Sequence, residues 1–168
     1  VGDGKDRGRL EQQVRAAGPA NVRFVGAQPK TAMADYLAAA DVCVGTLLDR
    51  PVLGTTYPNK VFDYMAAGRP VVLAMQGVIR ELVESAGAGI CVPPGDDEAL
   101  AVALRTLRSD EQARGRMGRS GRELVVNRFR REDQAELFLQ LVRAVAEDGP
   151  IPGGGFHPNA GASSGPAL

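Results

Sequence analysis

The stretch Thr55-Thr56-Tyr57-Pro58-Asn59-Lys60-Val61-Phe62-Asp63-Tyr64-Met65-Ala66-Ala67-Gly68-Arg69-Pro70 holds residues whose types and spacing could do chemistry together. Pro58 and Asn59 read as a helix start, where amides without intrahelical partners and the positive end of the helix dipole favour a bound phosphate. Lys60 adds a full positive charge within that first turn. Asp63 falls four residues after Asn59, on the same helix face one turn further in. Its carboxylate could accept two hydrogen bonds from a vicinal diol such as a ribose. Phosphate at the helix start and a sugar diol one turn down together describe a nucleoside-diphosphate site. The same residues also fit an ordinary asparagine cap followed by solvated surface charges, and spacing alone does not separate the two.

Other chemistries find less support. Gly2-Asp3-Gly4, followed by Gly8, invites comparison with the dinucleotide fingerprint, but the position that should carry the third glycine or alanine is Arg7. A short glycine turn between a strand and a helix accounts for it. No Gly-Lys-Ser/Thr phosphate loop occurs. The single histidine, His157, lies in a Gly/Pro-rich tail, which argues against a zinc site or a Ser-His-Asp triad. Cys43 and Cys91 each sit inside a short apolar run and read as buried, reduced core residues. No metal site is expected.

The elements that must position these residues alternate between helical periodicity and short apolar runs, the pattern of a parallel α/β sheet with helices on its faces. Leu10, Val14 and Ala17 mark a helix, and Asn21–Gly26 a strand ended by glycine. Thr31–Ala40 marks a second helix and Val42–Val44 a strand. The segment from Thr46 to Pro58, with Asp49, Pro51 and Gly54, is a loop at the carboxyl end of a strand, where open α/β sheets hold ligands. A helix over 59–67 stops at Gly68 and Pro70. Val71–Leu73 and Ile90–Val92 are strands, separated by a helix carrying Ile79, Leu82, Val83 and Ala86. Asp96 leads into a helix burying Leu100, Leu104 and Leu107. Ser109 with Gln112 fits a capping box for a helix reaching Asn127, and a last helix over 131–147 carries a wide apolar stripe.

The chain has 168 residues, with 20 Lys+Arg against 20 Asp+Glu and 44% hydrophobic residues. That is enough for one well-buried domain, expected over 1–147, and a zero net charge offers no general field for nucleic acid. No apolar run reaches the roughly 20 residues of a membrane span. Residues 148–168, rich in Gly, Pro, Ser and Ala, read as a disordered tail. The absence of an initiator methionine and a start at what reads as a strand end predict a fragment.

Tyr57-Pro58-Asn59-Lys60-Val61-Phe62-Asp63-Tyr64-Met65-Ala66-Ala67-Gly68-Arg69-Pro70-Val71-Val72 resembles the Pro-Ser-Lys-x-Phe-Glu-Tyr-x-Ala-x-Gly-x-Pro-Val segment of retaining family 4 glycosyltransferases. That segment belongs to the C-terminal donor-binding domain of a GT-B fold. Val1–Gly4, Val22–Gly26, Tyr36–Val42, Gly87–Asp96 and Arg128-Phe129 resemble further landmarks of that domain in order. The resemblance implies a Rossmann-like parallel sheet flanked by helices, forming the C-terminal half of a GT-B fold truncated at its N-terminus. It implies a nucleotide-sugar donor, with a UDP-sugar the expected choice, and an acceptor that is a saccharide or a lipid-linked saccharide. The expected partner is an N-terminal acceptor domain of the same full-length protein, at the cytoplasmic membrane face, with peripheral membrane association of the intact enzyme. By the same resemblance the amides of Asn59, Lys60 and Val61 hold the pyrophosphate, with Pro58 opening the helix and Asn59 and Lys60 stabilising the leaving group. Asp63 stands where the family has a ribose-binding Glu. Thr55 stands where it has a sugar-contacting Glu, so Thr56 or Asp49 is left to supply that contact. Val25, Gly26 and Ala27 border the base. The isolated chain is expected to bind donor with little or no transfer. Alternatives are a GT-B nucleotide-sugar epimerase and a degenerate, non-catalytic donor-like domain.

Overall fold

A computed structural model describes residues 1–147, so the tail expected over 148–168 lies outside the described residues. The chain divides into two compact units, Val1–Ala39 and the residues from Ala40 onward.

In the first unit, α1 (Arg7–Ala17) ends at Gly18 in the left-handed conformation, φ 73°, which closes the helix with a bond from the Gly18 amide to the Val14 carbonyl. A 3-10 turn, Lys30–Ala32, runs into α2 (Met33–Ala39). The strand expected over 21–26 is absent: these residues join no ladder, and Val22, Phe24 and Val25 are exposed. One backbone bond, from the Gly2 amide to the Gly26 carbonyl at 2.8 Å, ties the start of the chain to this segment. An apolar run becomes a strand only where a neighbouring strand takes its amides and carbonyls.

The second unit is built on a parallel sheet of three strands in the order β1 (Cys43–Thr46), β2 (Val71–Ala74), β3 (Gly89–Cys91). Cys43 lies opposite Val71, and Val71 opposite Gly89. Between β1 and β2 the chain passes through a 3-10 turn, Pro51–Thr55, and α3 (Asn59–Ala66). Between β2 and β3 it passes through α4 (Val78–Ser85). Then follow α5 (Asp97–Ser109), α6 (Glu111–Arg128) and α7 (Arg131–Ala146).

Every residue of β2 is buried, as a central strand covered on both faces requires. Its alternation divides the core. Val71 and Leu73 join Val61 and Met65 of α3 and Ile79, Leu82 and Val83 of α4 on one face. Val72 and Ala74 join Ala103 and Leu107 of α5 on the other. Leu100 and Leu104 pack against that second cluster while staying partly exposed.

Helix ends differ from expectation at one point. Ser109 does not cap α6: it closes α5, its hydroxyl donating to the Arg105 and Thr106 carbonyls. Asp110 is the cap, accepting from the Ala113 amide at 2.7 Å, just as Asp96 caps α5 through the Ala99 amide at 2.8 Å. An ionised carboxylate one residue closer to the helix wins over the hydroxyl. The apolar stripe of α7 is present but uncovered among the described residues, Phe138 being 66% exposed.

Candidate functional site

The site is built where β1 hands the chain to α3. Because β1 and β2 are parallel, the crossover helix runs back antiparallel to them, so its first residues stand at the carboxyl end of the sheet. Pro58 is the N-cap in extended conformation, and Asn59 is the first helical residue with no side-chain cap in the helix. The asparagine is therefore not an ordinary cap. Proline has no N–H, and the Val61 amide donates to the Pro58 carbonyl at 3.0 Å. The two amides left without a partner among the described residues are those of Asn59 and Lys60, so Val61 is the weakest of the three expected phosphate donors; its side chain is wholly buried.

Asp63 is exposed and lines a hollow of about 380 Å³ together with Asn59, Phe62, Ala66, Phe129 and Arg131. Phe62 and Phe129 form its aromatic wall, their ring centroids 4.9 Å apart and tilted by 58°. Arg131, the first residue of α7, also lines this hollow. Arg131 was not among the residues singled out from the sequence, and only its position directly after the Arg128-Phe129 landmark could have pointed to it.

Thr55 and Thr56 are exposed but do not line this hollow. The Thr55 hydroxyl is turned onto its own 3-10 turn, donating to the Val52 carbonyl at 3.2 Å. Asp49 lies in a separate crease with Arg50, Gly54 and Gln76. The loop carrying these residues is pinned to the next crossover at Gly77, where φ is 82°; a Cβ on Gly77 would collide with the Gly54 carbonyl. Only glycine combines that dihedral with that approach. Two consecutive crossover loops at the carboxyl end of the sheet are thereby held together.

Val25, Gly26 and Ala27 belong to the first unit. Gly26 is buried with φ 82°, and a Cβ there would stand 2.8 Å from Arg7 Nη1. Arg7 is itself fixed by Glu11 at 2.7 Å and Asp3 at 3.1 Å. The residue that breaks the glycine fingerprint thus serves to cover this turn.

Both cysteines are free thiols. Burial pushes Cys91 up to about 12, with Glu84 adding to the effect, so it carries no thiolate near neutral pH. Among the described residues no three His, Cys, Asp or Glu side chains converge as metal ligands, and no helix is long and apolar enough to cross a membrane.

Open α/β sheets of this Rossmann-like kind hold ligands outside the carboxyl ends of their strands, where helix-start amides favour phosphate. The family model for glycosyl transferases group 1 matches residues 1–110, and the chain belongs to that family as a GT-B C-terminal domain. It is 33% identical over 149 residues to the lipopolysaccharide core biosynthesis glycosyltransferase LpsD of Rhizobium meliloti (strain 1021), covering 88% of this chain and 41% of that protein. Sucrose-phosphate synthase from Thermosynechococcus elongatus superposes with a TM-score of 0.77 at 31% identity, over 87% of this chain and 36% of that one. Anabaena Alr3699/HepE, in complex with UDP-glucose, superposes with a TM-score of 0.69 at 26% identity, over 84% of this chain and 40% of that one. The chain spans less than half the length of each of these proteins.

Proposed function

We propose that this chain binds the nucleoside-diphosphate sugar, a UDP-sugar, for a retaining glycosyltransferase that passes a hexosyl group to a saccharide or lipid-linked acceptor. One observation carries the reading: the unpartnered amides of Asn59 and Lys60 stand at the carboxyl end of the sheet, with the exposed carboxylate of Asp63 one turn further along the same helix. The UDP and UDP-glucose complexes of Anabaena Alr3699/HepE support the choice of donor.

In such a transfer the bond from the sugar's anomeric carbon to the diphosphate breaks, and negative charge grows on the departing oxygens. Amide dipoles fixed beforehand and the Lys60 ammonium oppose that charge without having to reorganise, which lowers the barrier. Asp63 accepts from the ribose hydroxyls and sets the distance between nucleoside and phosphate. No metal is required for this role, because the helix start and Lys60 supply the positive field. The acceptor is held by the part of the GT-B fold outside this chain, so donor binding without transfer is the expected property of residues 1–168, with the intact enzyme meeting its acceptor at the inner membrane face.

Calorimetric titration of the folded chain with UDP and UDP-glucose tests the reading. Saturable binding of both supports it; no heat from a sample with native circular dichroism defeats it. One observation favours a degenerate donor-like domain instead, namely the Thr55 hydroxyl engaged with Val52 where the family resemblance expects a carboxylate. That alternative predicts the silent titration.

A further inference from the structure

A hollow of about 670 Å³ lies at the other end of the sheet from the start of α3. Its walls include Asp41 just ahead of β1, Arg69 just ahead of β2, and Glu111, Arg114, Arg116 and Arg119 from the first half of α6. A volume of this order is that of a small-ligand pocket. Four arginines face two carboxylates, in a chain whose net charge is zero.

Arg114 is fixed in place, its Nη1 donating to the Leu107 carbonyl at 2.6 Å and the Arg108 carbonyl at 3.0 Å. Arg116 and Arg119 are exposed and, among the described residues, have no ion-pair or hydrogen-bond partner. Like charges three apart on a helix repel one another unless an anion lies between them.

A second observation concerns the backbone beneath these side chains. Gly115, Gly118 and Gly121 follow at intervals of three along α6. Gly118 and Gly121 are dictated by packing: a Cβ on Gly118 would collide with the Gly68 carbonyl, and one on Gly121 would meet Met65 at 3.1 Å and Ala88 at 3.2 Å. Gly115 has no such reason, since a Cβ there would meet only Arg119 Nη1, at 3.3 Å. A mid-helix glycine weakens the helix relative to alanine, and here it leaves bare backbone beside the Arg119 guanidinium.

We propose that this hollow is a second anion site, separate from the donor end of the sheet, which takes the phosphate group of a ligand between Arg114, Arg116 and Arg119. Guanidinium forks match phosphate oxygens two at a time; Arg116 and Arg119 bring guanidiniums with no partner among the described residues, and Arg114 is held at the wall through its Nη1. The phosphate belongs either to a small soluble ligand or to an anionic lipid headgroup.

Nitrogen-15 NMR of the full chain tests this site by residue. Inorganic pyrophosphate is added with UDP already at saturating concentration, and in a parallel arm phosphatidylglycerol bicelles are compared with phosphatidylcholine ones. The expected result is a saturable shift of the Gly115 amide and of the Arg116 and Arg119 Nε–H signals. Arg116→Gln with Arg119→Gln should weaken it by about tenfold or more, at unchanged melting temperature because both side chains are exposed. Saturation by pyrophosphate identifies a soluble phosphate; a response to phosphatidylglycerol alone identifies a headgroup. The proposal is overturned if neither probe moves these signals or if the double variant binds like the parent. It is also overturned if Arg105→Gln with Arg108→Gln, on the exposed face of α5, weakens binding equally. None of these outcomes depends on whether UDP itself binds.

Discussion

At the scale of single residues, the proposed donor site gives Asp63 and Lys60 different roles, and the difference can be measured. Asp63→Ala removes an acceptor of two hydrogen bonds from a diol and should weaken UDP binding by about 1–3 kcal/mol, affecting uridine as much as UDP because the contact is to the sugar. Lys60→Ala removes a charge at the phosphate end, so UDP should lose more than uridine. Calorimetry with the two ligands checks both variants; equal losses from Lys60→Ala for nucleoside and diphosphate would mark the lysine as structural. Neither substitution should disturb folding, since both side chains are exposed. Residue types and spacing single out this pair in advance, and the structure sets both side chains exposed on α3. Types and spacing could not find Arg131, which lines the same hollow as Asp63 from the start of α7. Nor could they reveal that the Val61 amide is taken by the Pro58 carbonyl or that the Thr55 hydroxyl turns inward, since hydrogen bonds over three residues depend on dihedrals the residue names leave open.

At the scale of elements, helices with a wide apolar stripe and strands with continuous apolar runs were legible, as β2 and α4 show, because burial on one face or on both leaves that mark directly. The residues over 21–26 carry Val22, Phe24 and Val25 but pair with no strand, and pairing is not written within the run itself. The contact between α3 and α6 was also invisible in advance, because it rests on what is missing. Gly118 lets α6 approach the end of α3 at the Gly68 carbonyl, and Arg122 then reaches across to donate to the Ala66 carbonyl at 2.6 Å. Gly118→Ala should therefore destabilise the fold by about 1–3 kcal/mol through overpacking against backbone that cannot move aside. Gly115→Ala, three residues away, should raise stability by up to about 1 kcal/mol, since its Cβ meets only the end of a flexible arginine. Urea denaturation of the two variants separates the signs; a loss of stability in both would mean that α6 lies closer along its whole length.

At the scale of the whole molecule, the response to alkali follows from three acids whose neutral forms the fold prefers. Cys91 on β3 is pushed up to about 12 from 9.0 by burial first and by Glu84 second, with Arg80 opposing. Burial also raises Cys43 on β1, against a lowering by Arg69, and raises Tyr64 on α3, with Cys43 and Asp63 adding to it. In the unfolded chain these groups titrate near their ordinary values, so above pH 9 the unfolded state loses protons that the folded state keeps. The stabilisation is complete below about pH 9 and is lost as pH rises toward 12. Cation loss contributes little over that interval, because the basic residues include only three lysines and the remainder are arginines, which stay charged. Urea midpoints at pH 7.5 and pH 10 should therefore fall for the parent chain and fall less for Cys91→Ala, whose half-buried position no longer titrates. An identical fall in both would mean that the Cys91 thiol ionises as readily inside the fold as outside it, and that β3 leaves it open to water.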